Sequence, residues 1–186
     1  MRTLFAAMLL LAAPSFAAGL SSRPYSDENQ GTGSLEGIYA GVGGGGEFLA
    51  FAGNAYFGYG LEAKLGYSFS PQYQIYLSGA FDDAASGDGP TFNAEQIAVF
   101  LQYHLLVRPA VMIFARGGVG LGLSGKVIDG STAAGFAEAG GLGVEIRLTQ
   151  GLYLAPEFYY RGSQLSTQGV SQAYQVIGLQ LSIIYY

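Results

Sequence analysis

The feature that most restricts this chain is a rhythm of two. In FGYGLEAKLGYSF (57–69), Phe57, Tyr59, Leu61, Ala63, Leu65, Tyr67 and Phe69 alternate with Gly58, Gly60, Glu62, Lys64, Gly66 and Ser68. Side chains along a β-strand point alternately to opposite faces, so this segment predicts a strand with one wholly apolar face. Its other face is small or charged.

The rhythm recurs along the sequence. GIYAGVGGGG opens a first strand near Gly37. After the turn Ser70-Pro71-Gln72, Tyr73, Ile75, Leu77, Gly79 and Phe81 alternate with Gln74, Tyr76, Ser78, Ala80 and Asp82. A fourth strand sets Ile97, Val99, Leu101 and Tyr103 against Gln96, Ala98, Phe100, Gln102 and His104. A fifth, after Arg108-Pro109, sets Ile113, Val119 and Leu121 against Phe114, Arg116 and Gly118. In the sixth, Leu142, Val144, Ile146 and Leu148 oppose Gly141, Gly143, Glu145 and Arg147. The seventh, after Thr149-Gln150-Gly151, opposes Leu154, Phe158 and Tyr160 to Glu157 and Arg161, and the eighth opposes Leu179, Leu181 and Ile183 to Gly178, Gln180 and Ser182.

Eight strands of one handedness of pattern predict an all-β, antiparallel up-and-down barrel over residues 37–186. The connections are short around 70–72, 106–109 and 149–151, and longer around 83–92, 125–132 and 162–172. Short turns on one rim, long loops on the other and an even strand number are the pattern of a transmembrane barrel. The first connection, near EFLAFAGN, is hard to place because Gly44 to Gly46 carry no polarity to follow.

Orientation follows from where the charges fall. The polar parity collects Glu62, Asp82, Glu145 and Glu157 with Lys64, Arg116, Arg147 and Arg161, a balance of four and four suited to a sealed interior where ions pair. The apolar parity carries Leu61, Leu65, Ile75, Leu77, Val99, Leu101, Ile113, Val144, Ile146, Phe158, Leu181 and Ile183, expected to face lipid. A soluble ligand-binding barrel would need the reverse. Only 11% of the chain is charged, against about 25% in soluble domains. An apolar band on every strand also exceeds the few hundred Å² a soluble monomer exposes. Glu138 falls on the outward parity and calls for a bulge or a position above the bilayer.

The first residues, MRTLFAAMLLLAAPSFAAGL, read as an export signal over 1–17, with Arg2, an apolar run from Leu4 to Ala13, and Ser15-Phe16-Ala17 as cleavage site. Residues 18–36 read as a flexible polar lead-in. No later apolar run is longer than AVMIFA (110–115), so any membrane crossing is by strands.

The signal, the GIYAGVGGGG opening, the eight strands and the closing LQLSIIYY resemble the OmpA/OmpX-type small outer-membrane barrels. That resemblance implies location in a Gram-negative outer membrane, with roles in envelope integrity, surface interaction or minor permeability. It implies outer-membrane lipids and lipopolysaccharide as surroundings, and a monomer. The final aromatic resembles the group's C-terminal assembly signal, which implies the barrel-insertion machinery as a partner. Tyr185 is in phase with the apolar face and Tyr186 is not. The peptidoglycan-binding domain of larger members is not expected.

No chemistry stands out against this background. Gly41 to Gly46 fit GxGxxG, but EFLAFAGN follows where a phosphate site needs a helix. His104 is the single histidine; the lipid A deacylases of similar size carry His-x-Ser, whereas His104 is followed by Leu105 and Leu106. A lipid-modifying hydrolase using a dispersed serine is the alternative function. Asp82, Asp83 and Asp88 form an acidic stretch whose oxygens suit hard cations, though a solvated loop accounts for it. The chain has no cysteine and a net charge of −5, which excludes thiolate metal sites and gives no basic footprint for nucleic acid. No cofactor, metal or catalytic residue is expected.

Overall fold

The computed structural model describes residues 35–51, 53–85, 92–127, 131–167 and 170–186; for 85, 125–127, 131–132, 167 and 170 it describes the backbone alone. The readings on the export signal, most of the polar lead-in and Asp88 lie outside the described residues.

Eight antiparallel strands close into a barrel in sequence order: β1 (Gly37–Phe51), β2 (Asn54–Ser68), β3 (Tyr73–Ala85), β4 (Phe92–Val107), β5 (Val111–Val127), β6 (Ser131–Thr149), β7 (Leu152–Thr167) and β8 (Val170–Tyr185). Among the described residues no helix is long and apolar enough to cross a membrane.

The register fixes the shape. Stepping between paired residues from Ala40 through Leu65, Leu77, Val99, Val119, Glu138, Gly162 and Gln175 leads back to β1 at Ala50, ten residues above the start. A stagger of that size over eight strands tilts them by roughly 40° and gives a backbone radius of roughly 8 Å. Such a lumen is filled by its own side chains.

The strands are longer than a membrane needs. They run from 13 to 19 residues, whereas about 9–11 tilted residues cross a bilayer. Two of the expected long loops are therefore mostly strand: β5 continues to Val127 and β6 starts at Ser131, while β7 continues to Thr167 and β8 starts at Val170. EFLAF likewise belongs to β1, and the first connection is a tight turn at Gly53, whose φ of 81° is natural for glycine.

The outer wall changes character with height. Tyr67, Tyr73 and Tyr103 stand near the short-turn rim, and above them the outward side chains from Leu65 to Ile183 are exposed and apolar. The residues expected on this face are exposed on it, except Val144, which is half-buried. The belt ends at Asp83, Glu95 and Glu138. At the strand tilt it is roughly 25 Å tall, the height of the apolar band on membrane barrels.

Above the belt the outward face of β7 and β8 turns polar. Gln164, Ser166, Ser171 and Gln175 lie outside, and Leu165, Tyr174 and Val176 are buried inside beside Leu49, Ala84, Phe92 and Ala94, while Phe57 and Phe136 remain exposed on neighbouring strands. Asp82 and Asp83 straddle this level on opposite faces of β3, so they do not form one acidic loop. Asp82 is buried in the lumen, and Asp83 accepts a hydrogen bond from Tyr59 on the outer wall (3.0 Å). Glu138 needs no bulge: it sits exposed at the upper edge of the belt, where the Tyr160 hydroxyl donates to it (3.2 Å).

Candidate functional site

The chemistry of this chain is concentrated in the lumen, in layers. The middle layer centres on Arg116 of β5. Its guanidinium donates twice to Glu62 of β2 (2.7 and 3.0 Å), to the Tyr76 hydroxyl (2.6 Å), and from Nε to Glu157 of β7. Its plane lies 4.8 Å from the centre of the Phe100 ring. Gln180 of β8 ties the two carboxylates together, donating to Glu62 (2.6 Å) and Glu157 (3.0 Å). One cation thus spans the barrel between strands that are not neighbours. Gly141 makes room for it, because a Cβ there would stand 2.0 Å from Glu157 Oε1 and 3.1 Å from Arg116 Nε.

Arg161 of β7 carries the layer above. It donates to Asp82 of β3 and to the side-chain Oε1 of Gln180 (3.3 Å), and lies over the Tyr159 ring at 4.2 Å. The Tyr159 hydroxyl donates to Glu47 of β1 (2.6 Å). Lys64 is buried near Glu62, its ammonium 5.6 Å from the Tyr76 ring and without a hydrogen-bond acceptor.

The lowest layer closes the short-turn end. Glu145 accepts from Gln102 (2.9 Å) and from Tyr186 (2.7 Å), with His104 Nε2 at 3.4 Å. Tyr186 stacks on Tyr39 at 5.1 Å, meets Tyr153 edge-on at 5.2 Å, and accepts from Gln74 (2.9 Å). Tyr186 is out of phase with the apolar face because its side chain fills the lumen. Leu35 is buried in the same apolar cluster as Tyr39, Phe114 and Ile184, so the end of the expected flexible lead-in is anchored here.

Seven of the eight expected interior charges are buried in this lumen: Glu62, Lys64, Asp82, Arg116, Glu145, Glu157 and Arg161. Arg147 is the correction. It keeps the inward parity, paired with the buried Tyr153, but lies half-buried at the short-turn rim, where it donates to the Thr149 backbone carbonyl (3.3 Å). Glu47 was missed, although it continues the inward parity of Gly41, Gly43 and Gly45. Among the described residues, no group of three or more His, Cys, Asp or Glu side chains is placed to hold a metal.

Known proteins of the same shape can be set beside this geometry. No protein-family model and no curated protein matches the chain. Among solved structures, Neisserial surface protein A superposes with a TM-score of 0.70 at 12% identity, covering 83% of this chain and 99% of that one. The fold is that of the small outer-membrane β-barrels. Two further matches have lower scores. The attachment invasion locus protein Ail of Yersinia pestis, in complex with sucrose octasulfate, has a TM-score of 0.47 at 14% identity, covering 81% of this chain and all of that one (100%). The outer membrane enzyme PagL has a TM-score of 0.47 at 13% identity, covering 76% and 97%.

Proposed function

We propose that this protein is a closed barrel of a bacterial outer membrane, serving the envelope as a scaffold and acting through its outer wall and its extramembrane collar. It passes no solutes of sugar size. The observation that carries this reading is the Arg116 bridge from β5 to Glu62 on β2 and Glu157 on β7, lying between an apolar cluster below and another above. A solute would have to break buried ion pairs as well as displace packed side chains. Removing one partner from a buried pair costs about 3–5 kcal/mol.

The membrane setting is supported by the apolar belt, which would otherwise expose Leu, Ile, Val and Phe side chains to water all round the barrel. Lipids and lipopolysaccharide are then the neighbours of the wall. A non-catalytic role is supported by the position of His104, which is buried in the lumen beside Gln102 and Glu145 and out of reach of any ester on the lipid side. The test is electrical. Purified monomer in a planar bilayer is expected to give no steady conductance, and liposomes containing it are expected to retain sugars. A steady porin-like step would overturn the reading. Retention in the outer-membrane fraction after a high-salt wash tests the location separately.

A further inference from the structure

Five carboxyl groups and three basic side chains are buried inside the described barrel: Glu47, Glu62, Asp82, Glu145 and Glu157 against Lys64, Arg116 and Arg161. The surplus is not spread evenly. Glu62 and Glu157 share Arg116, and Glu145 has its own ring of Gln102, Tyr186 and His104. The upper layer holds two carboxyl groups, Glu47 and Asp82, and one guanidinium, Arg161, which sits on Asp82.

The two carboxyl groups meet. A Cβ on Gly60 would lie 2.5 Å from Glu47 Oε2 and 3.1 Å from Asp82 Oδ1, so both side chains reach the space that this glycine leaves open. The two side chains are hydrogen-bonded to each other. Tyr159 donates to Glu47 Oε2 and Arg161 to Asp82 Oδ1, whereas among the described residues no other residue donates to Glu47 Oε1 or Asp82 Oδ2. The strand neighbours bring no cation. Glu47 lies between Gly58 and Gly178, and Asp82 between Gly60 and Ala94. The charged or titratable groups facing the pair are Glu62 of β2, Tyr159 and Arg161 of β7, and Tyr174 of β8. Arg116 of β5 is engaged one layer below with Glu62 and Glu157. Near this level β4 and β6 turn inward only the uncharged Gln96 and Ala137.

An ionised carboxylate accepts hydrogen bonds and donates none, so a bond between two carboxyl groups needs a proton carried by one of them. Two like charges sharing a site shielded from water cannot both persist. Arg161 supplies a positive charge beside Asp82, whereas Glu47 has a neutral tyrosine, so the proton belongs on Glu47. We propose that Glu47 and Asp82 share one proton in the folded barrel at neutral pH, Glu47 as the acid and Asp82 as the carboxylate, forming a pH-sensitive clasp between β1 and β3 across the upper lumen. In the unfolded chain both groups titrate in the ordinary carboxyl range, about 4. Above that pH the folded barrel binds one proton more than the unfolded chain, so the stability from the pair declines as pH rises and is gone once the proton is lost. Mild acid tightens the upper layer and alkali loosens it.

The test compares urea-unfolding midpoints of the full barrel and of its Glu47→Gln variant in lipid vesicles, from about pH 5 to about pH 9, where a retained proton shows. Glutamine offers Asp82 an N–H that does not titrate. The wild-type midpoint is expected to fall relative to that of Glu47→Gln as pH rises, a difference from which groups titrating alike in both proteins, such as His104, cancel. Profiles that stay parallel would overturn the clasp. Infrared spectroscopy reads the proton without any variant. A protonated-carboxyl band is expected from the folded wild-type barrel at neutral pH, and its absence would overturn the pair even if Glu47→Gln does not fold. A band undiminished in folded Glu47→Gln would overturn the assignment to Glu47.

Discussion

Replacing Arg116 by methionine tests the middle layer most directly. Methionine keeps an unbranched stem against Phe100 and removes every donor. Glu62 would retain Ser78 (2.7 Å) and Gln180 (2.6 Å), with Arg161 at 3.7 Å, while Glu157 would retain Gln180 (3.0 Å). Both pairs are shielded from water, with side chains no more than 2% exposed, so solvent screening gives no discount. Breaking one buried pair costs about 3–5 kcal/mol. Arg116 serves two carboxylates, which places the expected loss toward the upper end of that range. Urea unfolding in lipid vesicles, followed by tyrosine fluorescence and by the heat-shifted gel band of folded barrels, would measure it. Adding Glu62→Gln should recover part of the loss, since one stranded charge is gone; couplings within one network are about 0.5–3 kcal/mol. A single-variant loss under about 1 kcal/mol, the range of ordinary mild substitutions, would refute the bridge.

The same assay reads three further expectations. Leu77→Arg, in the apolar belt, should cost about 2–4 kcal/mol, whereas Gln175→Arg, above it, should cost about 0–1 kcal/mol; equal losses would place the membrane boundary elsewhere. Gly141→Ala should cost about 1–3 kcal/mol by overpacking against Glu157. Gly117→Ala, whose Cβ meets nothing within 4 Å, should be close to neutral. Tyr186→Phe keeps the ring against Tyr39 and removes the hydroxyl between Gln74 and Glu145, so about 1–3 kcal/mol should be lost. An unchanged stability there would mean that water replaces the hydroxyl.

Much of the barrel is legible in the sequence because alternation records facing within one strand. FGYGLEAKLGYSF shows it plainly: Leu61 is outside and Glu62 inside, as the period of two requires. The misses have physical causes. Gly43 to Gly46 carry no polarity, so the period could not be carried through to Glu47 or Leu49. Above the belt on β7 and β8, water replaces lipid as the outer solvent and the code inverts while the period persists. GSQLST and VSQAYQV therefore look like loop when read with the lipid code. Arg147 keeps inward parity, but it lies two residues from the end of β6 and so stands at the rim. Partners across the lumen are a different kind of information. That Arg116 meets Glu62 and Glu157 depends on the stagger between strands, which no single segment encodes.

That stagger also has a consequence for how the barrel forms. Neighbouring strands can pair through local hairpins, but the side chains that fill the lumen join distant parts of the chain. Glu62 and Gln180 are 118 residues apart, and Glu47 and Tyr159 are 112 apart, as are Gln74 and Tyr186. Closing loops of that length is slow and entropically expensive. The hairpins can form while the β1–β8 seam is open; the interior network cannot. Substitutions at Gln180 or Tyr159 should then leave the folding rate nearly unchanged and speed unfolding, giving φ-values near zero. The charged interior is thus a lock set after the wall has closed, and its contribution is the lifetime of the finished barrel.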